Sequence, residues 1–271
     1  MRLALLADDA EDAAWRAVQL RLRRAALAKV TLADLAGRAA DFDAVVVAAA
    51  VDVEHVVRAG KPILLLRAHA AGALPTSIVP ITLGRPLRFR PDVAAVKAAL
   101  ASGRLGAPAL VRLHHWSARG AATLAAALDL IHWLVEVLPT QVFAVAHRSA
   151  AAYVQVHLGF PDGGMALLDL APLADGPDYF SLSVIGRTGA AYADDHHNTH
   201  LRFGGAAPAA LFADISTSGT LAALLDDFAG ALRTPPDDAF RTVQQLQGAV
   251  NASLTARQPV AWTGGRYEPV A

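Results

Sequence analysis

Apolar residues recur along this chain in two rhythms, and the change from one to the other divides it. In the first hundred residues short continuous apolar runs alternate with helical stripes. Arg2–Ala7, Ala44–Ala50, Ile63–Leu66 and Ile78–Leu83 are such runs. A strand covered on both faces reads this way. Between them, Glu11–Ala28 repeats Trp15, Val18, Leu22 and Ala26 at helical spacing, and Val53–Ala59 forms a short helix stopped by Gly60. This alternation predicts a parallel sheet with helices on its faces. Lys29–Leu32 makes only a short, poor strand. Gly84–Pro91 breaks the pattern, and Pro91 suits the first turn of a helix over Asp92–Ser102.

After Gly106 the rhythm changes. Ala109–Trp116 predicts a strand and Thr123–Leu138 an apolar helix. Strand-like runs follow at Gln141–His147, Ala152–Phe160, Gly164–Leu170, Tyr179–Ile185 and Ala190–Asp194. Pro161-Asp-Gly-Gly164 is a hairpin turn, and tight turns between successive strands predict an antiparallel sheet. In Tyr153–Phe160 the residues Val154, Val156, Leu158 and Phe160 share one face, and Tyr153, Gln155 and His157 the other. One face packs inward; the other is left for water or a partner. Helices over Thr220–Leu232 and Asp237–Ala256 close the chain. The fold class read from the pattern is α/β plus α+β. A parallel α/β domain (residues 1–90), which the family resemblance given below implies to be a truncated Rossmann-like one, precedes a mostly antiparallel sheet domain with helices on one face (residues 91–271).

Composition narrows the function classes. The chain has 271 residues, 54 % of them hydrophobic, and equal numbers of basic and acidic residues, 24 each. A neutral chain lacks the basic footprint of a nucleic-acid binder and the basic amphipathic face of a membrane-surface protein. There is no cysteine, which excludes disulfides, thiolate nucleophiles and Cys-ligated zinc. The N-terminal apolar run is short and meets Asp8 and Asp9, so no signal peptide is expected, and no apolar stretch is long enough to span a membrane. A cytoplasmic location is the resulting expectation.

Several stretches, in order, carry a likeness to a known family. They are Asp41-Phe-Asp-Ala-Val-Val-Val-Ala with His55 and Ala59-Gly60-Lys61; Arg88-Phe-Arg-Pro91 through Ser102-Gly-Arg-Leu-Gly-Ala-Pro108; Asp129-Leu-Ile-His-Trp-Leu; Val184-Ile-Gly-Arg-Thr-Gly189; and Asp227-Phe228. Together they resemble the Gfo/Idh/MocA family of nicotinamide-dependent sugar and inositol oxidoreductases, over most of residues 41–260. The resemblance implies a Rossmann-like domain, NAD or NADP as cofactor and a small sugar-like substrate. It also implies self-association through the open face of the second sheet.

The functional elements of that family fail here one by one. Its Glu-Lys-Pro, whose Lys works at the reacting hydroxyl, is replaced by Leu66, Arg67 and Ala68. Arg67 binds anions but is too basic to serve as a proton acceptor. Its glycine-rich phosphate loop, where the backbone approaches the pyrophosphate, is Ala7-Asp8-Asp9-Ala10-Glu11. There three carboxylates repel a diphosphate. The plain alternative is that these acids favour a helix N-terminus. The ribose-binding acid has no clear counterpart, Asp34 being the nearest. Its helical Asp and His fall on Ala122 and Ala126, and only Asp129 remains.

The reading is therefore a protein on this scaffold with no nicotinamide cofactor and no redox chemistry. It would act as a binding, structural or partner subunit, self-associated or joined to an active paralogue. Candidate cleft residues are Arg67, Arg88, His114, His115 and Asp129. His114 and His115 are adjacent on a strand and point to opposite faces. Arg85, Arg88 and Arg90 are expected to neutralise carboxylates across the domain boundary, and Trp116 and Trp133 to be core. Two alternatives stand beside this reading. One is an NAD(P)-dependent oxidoreductase with His114, His115 or His132 as a relocated base. The other is a cofactor-free lyase or isomerase with a metal at His196, His197 and His200. The dense Asp194–His200 cluster matches no strong metal motif, and a hydrogen-bonded loop or interface is favoured for it.

Overall fold

The computed structural model describes residues 1–66, 79–117, 121–147, 153–172, 179–194, 199–203, 209–211, 216–232 and 239–270. The chain forms two compact units: Met1–Phe89 with Asp214–Asp238, and Arg90–Ala213 with Ala239–Ala271.

The first unit begins β1 (Arg2–Leu6), α1 (Asp12–Gln19), β2 (Ala26–Lys29), α2 (Leu32–Arg38), β3 (Ala44–Val47), α3 (Val53–Val57), β4 (Ile63–Leu65) and β5 (Ile81–Leu83). All strand pairs are parallel, in the order β2-β1-β3-β4-β5. The apolar runs are buried on both faces. Leu3, Leu5, Val46 and Leu64 pack on one side with Trp15 and Val18, and Ala4, Leu6, Val45, Val47 and Leu65 on the other with Leu35, Phe42 and Val56.

The expected helix over Glu11–Ala28 is cut short. It stops at Gln19, and Ala26–Lys29 pairs with β1 as the second strand, in place of the strand expected at Lys29–Leu32. Two long-range contacts decide this: the sheet edge offered by β1, and the backbone amides of Arg23 and Arg24, which donate to the Asp226 carboxylate. Helical periodicity carries neither. Helix α2 is also unforeseen. Thr31 and Asp34 form a reciprocal capping box at its start, which accounts for Asp34 without a ribose.

The second unit comprises α4 (Pro91–Ala101), β6 (Pro108–Ser117), α5 (Ala121–Val135), β7 (Gln141–Ala146), β8 (Val154–Gly159), β9 (Met165–Pro172), β10 (Tyr179–Gly186), β11 (Gly189–Asp194), β12 (Thr199–Phe203) and β13 (Ala209–Leu211). The chain then returns to the first unit as α6 (Thr217–Ala231), where Leu224, Leu225 and Phe228 join the core beside Trp15. Finally α7 (Ala239–Ala256), β14 (Val260–Trp262) and β15 (Tyr267–Pro269) complete the second unit.

Its ten strands lie in the order β13-β12-β11-β10-β6-β9-β8-β7-β14-β15, antiparallel throughout except for the parallel pair β6–β9. Helix α4 packs on β11, α5 on β6 and β9, and α7 on β7. Alternation along β6 sorts the two faces: Val111, Leu113, His115 and Ser117 are buried, whereas Arg112 and Trp116 are exposed and His114 half-buried. The helices cover the first set. The second set belongs to an outer face. Two contacts fix the layers to each other. The Ser253 hydroxyl, fully buried on α7, accepts the Ala144 amide at 3.0 Å and donates to the Gln258 carbonyl at 2.7 Å. Lys97 of α4 reaches the carbonyl of Trp133 at 2.7 Å near the end of α5, where a cation opposes the exposed carbonyl groups.

Candidate functional site

Three places gather polar chemistry. The first is the end of β1. In a parallel sheet of this order the strand sequence reverses between β1 and β3, and a ligand site is expected outside their carboxyl ends. Beyond Leu6 the chain runs through Ala7 and Asp8 into a single 3₁₀ turn, Asp9–Glu11, and then α1. No glycine stands there, and Asp8, Asp9, Glu11 and Asp12 do. Lys29, the last residue of β2, lays its ammonium against Asp9 and Asp12, both at 2.5 Å. Hydrogen bonds to Asp12 and Asp9 raise the Lys29 pKa, and the bond from Lys29 lowers that of Asp9. The Trp15 indole donates to Glu11 at 3.3 Å. The second strand thus ends in a cation engaged with the acids that replace the phosphate loop. These residues do not fit a dinucleotide. The side chains at this loop are carboxylates, which accept hydrogen bonds and repel phosphate rather than donate to it, and the end of the second strand carries a lysine.

The second place is the helix-covered side of the large sheet. His115 lies there, buried, with its ring edge-on to Phe180 at 5.9 Å. Arg90 stacks over the same Phe180, 4.3 Å from the ring centre, and bonds Asp92 through Nη2 at 2.7 Å and Nε at 3.2 Å. Asp92 lies two residues on in the same unit, because Pro91 turns the chain so that it opens α4 beside Arg90. Asp129 is also buried, on α5. Arg88 lies in the first unit, on a 3₁₀ turn over Pro86–Phe89. Arg67 lies outside the described residues, as do His196 and His197. Among the described residues no group of three His, Asp or Glu side chains is placed to hold a metal ion.

The third place was not foreseen as a cluster. His114 projects to the outer face, opposite His115, and meets Asp169 of β9, with Nδ1 and Oδ2 3.2 Å apart. Asp169 is only 4 % exposed although it stands on the face opposite the helices. Its Oδ1 accepts from the Tyr153 hydroxyl at 2.7 Å and from the Gln155 amide at 2.8 Å, and Arg112 approaches Oδ2 at 3.9 Å. Burial pushes the Asp169 carboxyl up, but these hydrogen bonds, with His114 and Arg112 nearby, outweigh it and hold it below the usual carboxylate range. The bond to Asp169 raises the Tyr153 pKa. Register places Ser181 and Asp169 on either side of His114. One level along, Trp116 stacks at a tilt on Tyr179, centroids 5.1 Å apart. Trp116 is therefore a surface residue, correcting its assignment to the core. Strand alternation, already visible for Tyr153 and Gln155, was the signal for this network; cross-strand register was the missing part.

Comparison with solved structures interprets the architecture. An aldose-aldose oxidoreductase from Caulobacter crescentus superposes with a TM-score of 0.75 over 97 % of this chain and 99 % of that one, at 16 % identity. A myo-inositol dehydrogenase from Corynebacterium glutamicum gives 0.73 over 98 % and 99 %, also at 16 % identity. The chain has the Gfo/Idh/MocA fold. A levoglucosan dehydrogenase solved with NADH and levoglucosan gives 0.75 over 96 % and 98 %, at 13 % identity. No family sequence model and no curated protein matches the chain. The Gfo/Idh/MocA architecture is thus retained across both units, while the residues at the end of β1 differ from what a dinucleotide needs.

Proposed function

We propose that this protein has given up nicotinamide-dependent redox chemistry and works as a binding or structural subunit on the Gfo/Idh/MocA scaffold. The carrying observation is the Lys29–Asp9–Asp12 cluster at the end of β1 and β2. A diphosphate there would meet Asp8, Asp9, Glu11 and Asp12, and Lys29, the cation beside them, is already engaged by two of them. Unlike-charge attraction and backbone N–H approach are the two terms that hold a dinucleotide at a helix N-terminus; this loop reverses the first and lacks the glycines for the second. With Arg67, Ala122 and Ala126 at the positions of the family's reacting groups, no base is left for a hydroxyl proton. The subunit's partner in this reading is a second copy or an active paralogue, met through the outer face of the large sheet. Titration with NADH and NADPH, followed by tryptophan fluorescence and calorimetry, tests the reading. No saturable binding in the micromolar range is expected, and a micromolar Kd for either overturns it.

The similarity to a dehydrogenase solved with NADH and levoglucosan favours a second reading, a working oxidoreductase with a relocated base. His115 is its best candidate, being buried on the helix-covered side. It requires NAD(P)-dependent turnover of a sugar or cyclic polyol that His115→Gln abolishes.

A further inference from the structure

Aromatic residues gather beside the Asp169 network, at one end of the large sheet and on the side opposite the helices. Trp116 of β6 stands in register between Tyr179 of β10 and Ala171 of β9. The β8–β9 ladder pairs Val154 with Leu170, so Tyr153, one residue before β8, falls beside Ala171 from the other side. The row therefore reads Tyr179, Trp116, Ala171, Tyr153. Rings stand on both sides of a single methyl group. Trp116 stacks at a tilt on Tyr179, and Ala171 is partly exposed. Trp116 is 38 % and Tyr153 39 % exposed, so neither ring is taken up by the core.

Trp116 and Tyr153 belong to next-but-one strands, about 9–10 Å apart at their backbones. A group midway between them lies within the distance, about 6 Å, at which a ring face attracts a cation. The base of this notch is acidic. Asp169 is two residues from Ala171 on β9 and points to the same side. The Tyr153 hydroxyl donates to it at 2.7 Å, and a phenol that donates to a carboxylate has a more electron-rich ring. Arg112 meets the other carboxylate oxygen at 3.9 Å, but it is four residues from Trp116 along β6, roughly 13 Å.

We infer that this notch binds a small quaternary ammonium compound of the size of choline, with its methyl groups against Trp116 and Tyr153 and its charge toward Asp169. The state of Asp169 selects this class of cation. Its oxygens are already engaged by Tyr153, Gln155 and His114. A primary ammonium brings three N–H donors, which would find few acceptors here. A quaternary ammonium has no N–H and needs none; it is held by ring faces and by unlike charge. The site is separate from the end of β1, and the inference goes beyond the reading above without resting on it.

Calorimetric titration of the full-length protein with choline chloride at constant ionic strength tests this. Dimethylbutanol, the uncharged carbon isostere of choline, is the comparison probe. Choline is expected to bind saturably, one to one, and about tenfold more tightly than dimethylbutanol. Trp116→Leu and Tyr153→Leu are each expected to weaken choline binding about tenfold. Trp262→Leu, which removes a ring from the Trp262–Tyr267 pair of β14 and β15, is expected to bind choline as the wild type does. Trp116→Leu, at an exposed position, carries the test if Tyr153→Leu fails to fold. Absence of saturable choline binding overturns the inference. Equal affinity for dimethylbutanol overturns it as well, since charge then plays no part. Choline binding untouched by the Trp116 and Tyr153 variants overturns the site. None of these outcomes bears on the titration with NADH and NADPH, so failure here leaves the loss of redox chemistry standing.

Discussion

At the scale of single residues, Asp169 shows how a sheet face can hold a buried charge. A buried carboxylate survives only when hydrogen bonds replace its water, and Tyr153, Gln155 and His114 do so here. Asp169→Ala removes the acceptor from three donors and is expected to cost about 2–4 kcal/mol, read as a lower midpoint in urea unfolding. The pH dependence follows from the sign of the shift. Because folding lowers the Asp169 pKa, its stabilisation is fully present above the unfolded value, about 3.9, and is lost as pH falls through the folded value. Wild-type stability should therefore drop more steeply below about pH 4 than that of Asp169→Asn. Equal slopes would contradict this. Lys29 differs: its cluster is exposed, so Lys29→Ala should leave the melting temperature nearly unchanged.

At the scale of elements, two positions set geometry that substitution should disturb. Ser253 ties α7 to β7 by accepting from one backbone group and donating to another. Ser253→Ala leaves the buried Ala144 amide without this acceptor, and a loss of about 1–3 kcal/mol is expected by denaturant titration. Gly186 ends β10 at a register shift against β6, and a Cβ there would stand 2.0 Å from the Leu105 carbonyl oxygen. Gly186→Ala should therefore separate the turn after α4 from the sheet, measured as a large loss of melting temperature. The elements also show what patterning can carry. Buried runs such as Ala44–Val47 were legible because a strand covered on both faces must be continuously apolar. The end of α1 was not, since the competing strand is stabilised by pairing with β1 and by Asp226, more than two hundred residues away in sequence. The capping box at Thr31 was legible in principle: a threonine followed by an acid three residues on, ahead of Leu35, is a local signal.

At the scale of the whole molecule, the fold was legible because rhythm, turn chemistry and element order agreed. The candidate chemistry was legible only as substitutions: Asp8, Asp9 and Glu11 stood where glycines were expected, but nothing local showed that Lys29 would close on Asp9 and Asp12. That contact depends on β2 beginning at Ala26, which the helical reading hid. The Asp169 network was hidden for a related reason, since it joins β6, β8 and β9 through register. The central claim, that this scaffold no longer takes a dinucleotide, is tested most directly by calorimetric titration of the purified protein with NADH and NADPH. The prediction is no saturable heat in the micromolar range with either. A one-to-one isotherm with a micromolar Kd, weakened or strengthened by Lys29→Ala, would contradict it.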